Sequence, residues 1–192
     1  MTTRYFRLSE DVYAPGRWYL GDPVDEKFVE VEDPWMFSAG KPIQSLGLLR
    51  FPIDEPGRPL DYSEAGIGST PILHAKLATV FAALAPEDVQ LFAVDIPGSP
   101  EQFNMLVATR LVRCIDDKAS REVEYWDPIK HKQPEKAGQY SSVAGMRIDP
   151  SKVGGAKVFR TWGWKVALIV SEELKKALEH TGATGMSFTE VS

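Results

Sequence analysis

The sequence contains little from which a covalent or metal-centred site could be built. Its 192 residues include one cysteine, Cys114, and three widely separated histidines, His74, His131 and His180. A lone cysteine cannot close a disulfide within the chain, and secreted proteins of this size usually carry paired cysteines, so we expect a cytoplasmic location. No histidine belongs to an HxH, HExxH or Cys/His cluster, which excludes the common zinc motifs. We therefore expect neither a metal nor another cofactor.

Long apolar runs are also missing. No stretch approaches the roughly 18–20 apolar residues that cross a bilayer, and residues 1–7 lack the apolar segment of a signal peptide. We expect no membrane association. Hydrophobic residues make up 43% and charged residues 26%, which is ordinary for a globular protein. The length favours one domain over residues 1–192, while a strand-rich N-terminal lobe (1–66) joined to a C-terminal lobe (67–192) stays open.

Basic residues are scarce in the first third of the chain. Residues 1–66 hold 12 Asp and Glu against 7 Lys and Arg, whereas residues 67–192 hold 15 of each, so the net charge of −5 arises in the N-terminal part. An acidic face repels nucleic acid and attracts basic proteins. We expect a protein partner there, with a merely solvated surface as the alternative. The candidate interface residues are Asp22, Asp25, Glu26, Glu30, Glu32, Asp33, Trp35, Asp116 and Asp117.

Five tryptophans are many for this length, and Trp often anchors protein interfaces. Trp35 follows the acidic run between Pro34 and Met36, so we expect it to be an exposed anchor. Residues 162–164 read Trp-Gly-Trp within a predicted strand, which would place both rings on the same side. The sequence leaves open whether Trp126, Trp162 and Trp164 belong to the core or to an interface.

Apolar periodicity predicts an α+β protein with two principal helices on a mainly antiparallel sheet. The first helix spans residues 74–84, with a start at Thr70–Pro71 as the alternative. The second begins at Ser171, a good N-cap, and stops at Gly182. A long loop is expected over 52–70 and a basic loop over 128–140. The predicted strands are 17–20, 27–31, 44–51, 89–94, 103–114, 122–126, 146–148, 158–170 and 186–191.

The two helices and the strands around them align at an offset of 97 residues. Ile72 falls on Ile169, Leu77 on Leu174, and Val94 on Val191. Identities are few, so the alignment indicates two similar helix–strand units without establishing duplication.

No catalytic motif is complete. Residues 66–70, Gly-Ile-Gly-Ser-Thr, precede a predicted helix and resemble a phosphate-binding loop, but they lack the Gly-Lys-Ser/Thr ending. Cys114 and Asp116 would need a base that the sequence does not reveal. We therefore expect a binding protein and not an enzyme. A small-ligand site or enzyme built around Gly66–Thr70 is one alternative, and a structural module that self-assembles through its tryptophans is another.

The C-terminal residues carry a resemblance to a known family. Phe159-Arg160, then Ser171 to Glu179, then Gly182-Ala183-Thr184-Gly185-Met186-Ser187-Phe188 are similar to the ending of the Imm11 immunity proteins, formerly called DUF1629. In that family a Phe-Arg pair precedes a strand, the strand leads into a helix, and a Gly-x-Thr-Gly turn and a strand close the chain. The resemblance is close over about 30 residues at the C-terminus.

The resemblance implies the role of an antitoxin in bacterial polymorphic toxin systems, some of which use type VI secretion. Such a protein binds a cognate toxin, often encoded next to it, and many such toxins are basic nucleases. A homo-oligomer stays open. The motif residues themselves are expected to stabilise the fold, with turns at Gly182 and Gly185 and a buried hydrogen bond at Arg160. The scaffold residues are Phe159, Arg160, Ser171, Leu174, Gly182, Gly185 and Phe188.

Overall fold

The computed structural model describes residues 3–127, 129–130 and 132–192. His131, part of the predicted basic loop, lies outside them. The helices are α1 (Ala75–Leu84) and α2 (Glu172–His180). The strands are β1 (Tyr5–Glu10), β2 (Tyr19–Leu20), β3 (Leu49–Arg50), β4 (Ile53–Glu55), β5 (Tyr62–Ala65), β6 (Thr70–His74), β7 (Val89–Asp95), β8 (Phe103–Ala108), β9 (Leu111–Val112), β10 (Glu122–Tyr125), β11 (Tyr140–Ala144), β12 (Val158–Thr161), β13 (Trp164–Ser171) and β14 (Met186–Glu190).

Two five-stranded sheets form the frame of the molecule. The first has the order β3-β7-β8-β6-β5 and the second the order β14-β1-β13-β12-β9. Most neighbouring strands are antiparallel, and the parallel pairs β3–β7 and β9–β12 lie at sheet ends. Two-stranded ribbons, β2–β4 and β10–β11, lie outside these sheets. The predicted α+β class with two principal helices is confirmed.

The two sheets contain the same strand–helix–strand unit. In the first, β6 leads through α1 to β7, and β8 pairs antiparallel with both strands. In the second, β13 leads through α2 to β14, and β1 pairs antiparallel with both. In the first sheet the middle strand, β8, follows its unit along the chain. In the second sheet the middle strand, β1, comes from the start of the chain. The units aligned at an offset of 97 residues therefore share one topology.

Three apolar clusters hold the layers together. The first lies between the sheets and contains the buried faces of both helices, through residues such as Leu77, Leu174, Leu106 and Leu168. Because side chains alternate along a strand, the intervening residues pack on the outer face of each sheet. Met105 joins the second cluster with the N-terminal segment, and Ile169 joins the third with residues 114–153.

Both helices begin at a side-chain cap. His74 accepts a hydrogen bond from the N–H of Lys76, and Ser171 accepts one from the N–H of Leu174 at 3.4 Å. The later start of the first helix is therefore confirmed. The alternative start at Thr70–Pro71 is wrong, because those residues pair with β5 in the first sheet. None of the helices among the described residues is long and apolar enough to cross a membrane.

Several predicted strands are wrong in extent. The segment 52–70 is not one loop, because β4 and β5 lie within it, and β5 pairs with β6. Strand pairing covers only Leu49–Arg50 of the predicted strand 44–51. The predicted strand 103–114 divides into β8 and β9, and residues 146–148 make one isolated bridge, between Ile148 and Ile115. A short apolar run can fit the sequence pattern of a strand even where no neighbouring strand is placed to pair with it.

The predicted strand 158–170 is instead a hairpin. Thr161 pairs with Trp164, so Trp162 and Gly163 form the two-residue turn. Gly163 has φ +84°, a left-handed conformation that glycine adopts readily. The two tryptophan rings therefore do not share one face of a strand as expected. The β5–β6 hairpin crosses the boundary that the sequence suggests between two lobes at residue 66. The single-domain organisation stays a prediction.

Candidate functional site

A short 3-10 helix over Pro34–Ser38 packs against β6 and β8 of the first sheet, and we call residues 33–38 the ridge. The Asp33 carboxylate caps it by accepting the N–H of Trp35 at 3.1 Å. Phe37 is fully buried in the second cluster, and the Ser38 hydroxyl donates to the carbonyl of Gly68 at 2.8 Å. These contacts fix the ridge and leave Trp35 49% exposed, so the expected exposure of Trp35 is confirmed.

An acidic groove lies on one side of the ridge. Its volume is about 430 Å³. Four carboxylates and five apolar side chains line it, and we call the apolar set its floor. None of the described residues that line it is basic. The lining residues are Asp25, Val29, Glu30, Val31, Glu32, Asp33, Met36, Leu46 and Leu49. An apolar floor with a charged rim is the usual composition of a protein-binding surface.

The sequence predicts a strand over 27–31, but the residues form a turn that shapes this groove. The Asp25 carboxylate accepts the N–H groups of Lys27 at 2.7 Å and Val29 at 2.9 Å. Phe28 adopts a left-handed conformation with φ 61° and is 70% exposed. The Arg50 guanidinium stacks on the Phe28 ring, 4.9 Å from its centroid. A short side-chain bond to the following backbone competes successfully with strand pairing.

Exposed apolar side chains continue around the acidic groove and the ridge. They are Phe28, Val29, Trp35, Leu46 and Leu48. Single exposed apolar residues are ordinary, whereas a group of them mixed with charges marks interaction sites. Glu26, Glu30 and Glu32 form no ion pair with the described residues. Their charge is therefore available to a partner.

A second groove, which we call the lysine groove, also adjoins the ridge and has a volume of about 480 Å³. It shares Asp33 and Met36 with the acidic groove. Its walls include four aromatic side chains, Trp35, Trp126, Tyr140 and Trp164, and three lysines, Lys41, Lys136 and Lys165. The Lys136 ammonium lies 4.2 Å from the Trp126 ring. The two grooves thus adjoin the same ridge and carry opposite charge.

A model of the immunity protein family Imm11 matches residues 48–192. The chain belongs to the Imm11 family. No curated protein matches it at a significant level. The Imm11 match begins after the acidic segment, so nearly all of the acidic groove and Trp35 lie outside it. Trp126, Tyr140 and Trp164 of the lysine groove lie inside it.

Within the Imm11 region, the motif residues stabilise the fold. Phe159, Arg160 and Leu174 are buried. The Arg160 guanidinium donates to the carbonyl of Val166 at 3.1 Å, as expected, and its burial lowers its pKa. Phe188 is only partly buried, because it lies at the edge of the first cluster under the Lys175 ammonium, 5.4 Å from its ring centroid.

The two motif glycines have left-handed backbones, with φ +66° at Gly182 and +91° at Gly185. A Cβ at Gly185 would lie 2.2 Å from the carbonyl oxygen of Tyr62. Gly185 therefore allows the closing turn to pack against β5 of the other sheet.

Three of the predicted interface carboxylates lie outside both grooves, and each accepts hydrogen bonds within the protein. Asp22 accepts the N–H of Ile67 at 3.0 Å. Asp116 accepts the N–H groups of Lys118 and Ala119, which closes a turn. Asp117 accepts the hydroxyls of Tyr125 and Tyr140, and these bonds lower its pKa.

Sequence reasoning missed the apolar floor and the lysine groove. The sequence pattern predicts a strand at Val29, and it does not indicate Met36 or Leu46 as binding residues. The run Leu46-Gly47-Leu48-Leu49 offers a signal, because it places three leucines around a glycine. Nothing local to the sequence brings residues 35, 126 and 164 together.

The residues of the alternative small-ligand or enzyme site have structural roles in the fold. Cys114 is buried, and burial raises its pKa to about 12, so its thiol is protonated at neutral pH. In the Gly66–Thr70 loop, the N–H of Gly66 donates to Leu20 and the carbonyl of Gly68 accepts from Ser38. Strand β6 separates this loop from α1. Among the described residues, no group of three or more His, Cys, Asp and Glu side chains could hold a metal.

Proposed function

We propose that this protein is an immunity protein that binds and neutralises a cognate bacterial toxin through the ridge and the acidic groove. Membership of the Imm11 family supports the class of function. The acidic groove carries the proposal, because it joins an apolar floor to carboxylates that form no ion pair with the described residues. Binding to the toxin replaces catalysis as the means of protection.

The chemistry of the acidic groove favours a basic toxin surface. Glu26, Glu30 and Glu32 are exposed and unpaired with the described residues, so basic groups there would gain attraction without breaking an existing ion pair. Long-range attraction of this kind accelerates association. A nuclease-type toxin has such a basic surface, since its cleft must bind phosphates. An acidic protein that covers the cleft would compete with nucleic acid for it.

Trp35 supplies the apolar anchor of the proposed interface. Tryptophan is enriched among the few residues that dominate binding energy. The ridge fixes the backbone of Trp35 before binding, through Phe37 in the core and the Asp33 cap. A segment whose backbone is already ordered loses less conformational entropy on binding. The proposed setting is the bacterial cytoplasm, within a polymorphic toxin system.

A growth assay tests this function. The chain is co-expressed with the toxin encoded next to its gene, and rescue of growth is expected. The variant Glu30→Lys/Glu32→Lys should lose rescue while remaining folded. Glu122 and Glu124 are exposed on β10 and line neither groove, so Glu122→Lys/Glu124→Lys is the matched control. Toxicity that persists beside well-expressed wild-type protein would contradict the proposal.

A further inference from the structure

We propose that the lysine groove is the second half of the interface and receives an acidic segment of the same toxin. The inference rests on the proposed function and extends it. It predicts that the toxin face is bipolar, with basic groups opposite the acidic groove, carboxylates opposite the lysines, and an apolar pocket for Trp35 between them.

The lysine groove is formed before any partner arrives. The Tyr140 hydroxyl donates to Asp117 at 2.6 Å, and the Tyr140 N–H donates to the carbonyl of Gly163 at 3.1 Å. The Tyr140 ring packs against Gly163, since a Cβ there would lie 3.0 Å from it. The N–H of Trp126 donates to Gln139 at 2.8 Å. These bonds join the β10–β11 ribbon to the β12–β13 hairpin and fix the aromatic walls.

The charges of the lysine groove are unneutralised. Lys41, Lys136 and Lys165 form no ion pair with any described residue. Among the described residues of the lining, Asp33 is the single carboxylate, so three lysines face one negative charge and the groove is positive on balance. Lys136 does stack on Trp126, which orders its ammonium while leaving its charge in place. The groove therefore presents three positive charges beside aromatic surface.

Charge complementarity decides which partner surface fits. The grooves share Asp33 and Met36, so a protein that covers Trp35 approaches both. A face that was basic throughout would be attracted by Glu30 and Glu32 and repelled by the three lysines. Like charges in contact cost several kcal/mol across an interface. Carboxylates opposite the lysine groove remove that repulsion and fix the orientation of the complex, since only one orientation matches both signs.

Charge reversal gives a test whose direction is decisive. The dissociation constant for the purified, catalytically inactivated toxin domain is measured with wild-type protein and with Lys136→Glu/Lys165→Glu. We expect the variant to bind roughly tenfold or more weakly, because it places like charges together. Lys118 is exposed and lines neither groove, so Lys118→Glu should bind as wild type does. Unchanged or tighter binding by the double variant would overturn the inference.

Comparing the variants distinguishes failure of this inference from failure of the proposed function. If Glu30→Lys/Glu32→Lys abolishes binding while Lys136→Glu/Lys165→Glu does not, the toxin uses the acidic groove alone. If wild-type protein does not bind the toxin, both proposals fail. Light scattering of the protein alone tests a second copy as the occupant. A dimer that the lysine variant abolishes, with toxin affinity unchanged, would assign the lysine groove to self-association.

Discussion

The carboxylate of Glu10 lies 2.8 Å from the guanidinium of Arg17, and about one tenth of each side chain is exposed. This contact ties β1 to the segment that leads into β2. Burial raises the pKa of Glu10 to about 7, and the nearby Glu64 carboxylate adds to the shift, while Arg17 opposes it. Burial also raises the pKa of Glu64. Two carboxyl groups inside the fold therefore favour the protonated state.

Stability should fall as the pH rises from about 4.5 to about 7. In that range the folded protein retains a proton on Glu10 that the unfolded chain releases, so raising the pH favours unfolding. The raised pKa corresponds to about 3 kcal/mol at most. Urea denaturation at pH 5.0, 6.0 and 7.5 measures the free energy of unfolding. Glu10→Gln should flatten the slope, and the exposed Glu122→Gln should retain it. A wild-type slope of the opposite sign would contradict this electrostatic account.

Gly185→Ala should destabilise the fold far more than Gly182→Ala. Both positions have positive φ, which costs an alanine about 1–2 kcal/mol. Only at Gly185 would the new Cβ also meet the Tyr62 carbonyl, which adds about 1–3 kcal/mol of overpacking. Denaturant titration of the two variants measures the difference. Equal losses would show that the closing turn does not pack against β5 as closely as described.

Trp35→Ala should weaken toxin binding with little change in stability. Its side chain is half exposed on the ridge, and an anchoring tryptophan contributes about 2 kcal/mol or more to binding. Calorimetric titration with the inactivated toxin measures the affinity. Tyr13, which is almost fully exposed and lines neither groove, supplies the control variant Tyr13→Ala. If the two variants bind equally well, Trp35 is not an anchor.

Association with the toxin should slow as salt is added. The unpaired glutamates around the acidic groove act at a distance, and salt screens them beyond about 10 Å at 0.1 M. Stopped-flow measurements at 50 and 500 mM salt should therefore show a lower association rate in the concentrated buffer. Glu30→Gln/Glu32→Gln, which removes the two charges without reversing them, should remove most of this dependence. A salt-independent rate would assign recognition to Trp35 and the apolar floor instead.

The sequence predicts the parts of the fold that have strong local determinants. Ser171, Leu174 and Gly182 supply a cap, an apolar face and a stop, and α2 forms where they indicate. The repeated helix–strand pattern likewise corresponds to the strand–helix–strand topology that the two sheets share. Residues 27–31 show the limit, since Asp25 bonds to the backbone that a strand would have used. Alternation of apolar residues does not reveal that competition.

The candidate site was predictable in charge but not in shape. The acidic run and Trp35 are visible in the sequence, and both are exposed. The lysine groove joins Lys41 to Lys136 and Lys165, which are far apart along the chain, so only the packing of the ribbon and hairpin reveals it. Asp116 and Asp117 look alike in sequence to the interface carboxylates, yet turn and tyrosine bonds occupy them.

Hydrogen–deuterium exchange of the protein, with and without the inactivated toxin, tests the central claim most directly. The account predicts slower exchange on binding in the ridge and in residues 25–33, and also in residues 136–141 and 163–166 if both grooves are covered. Exchange in β14, which lines neither groove, should stay unchanged. Protection confined to β14 or to α2, with the ridge unaffected, would contradict toxin binding at this surface.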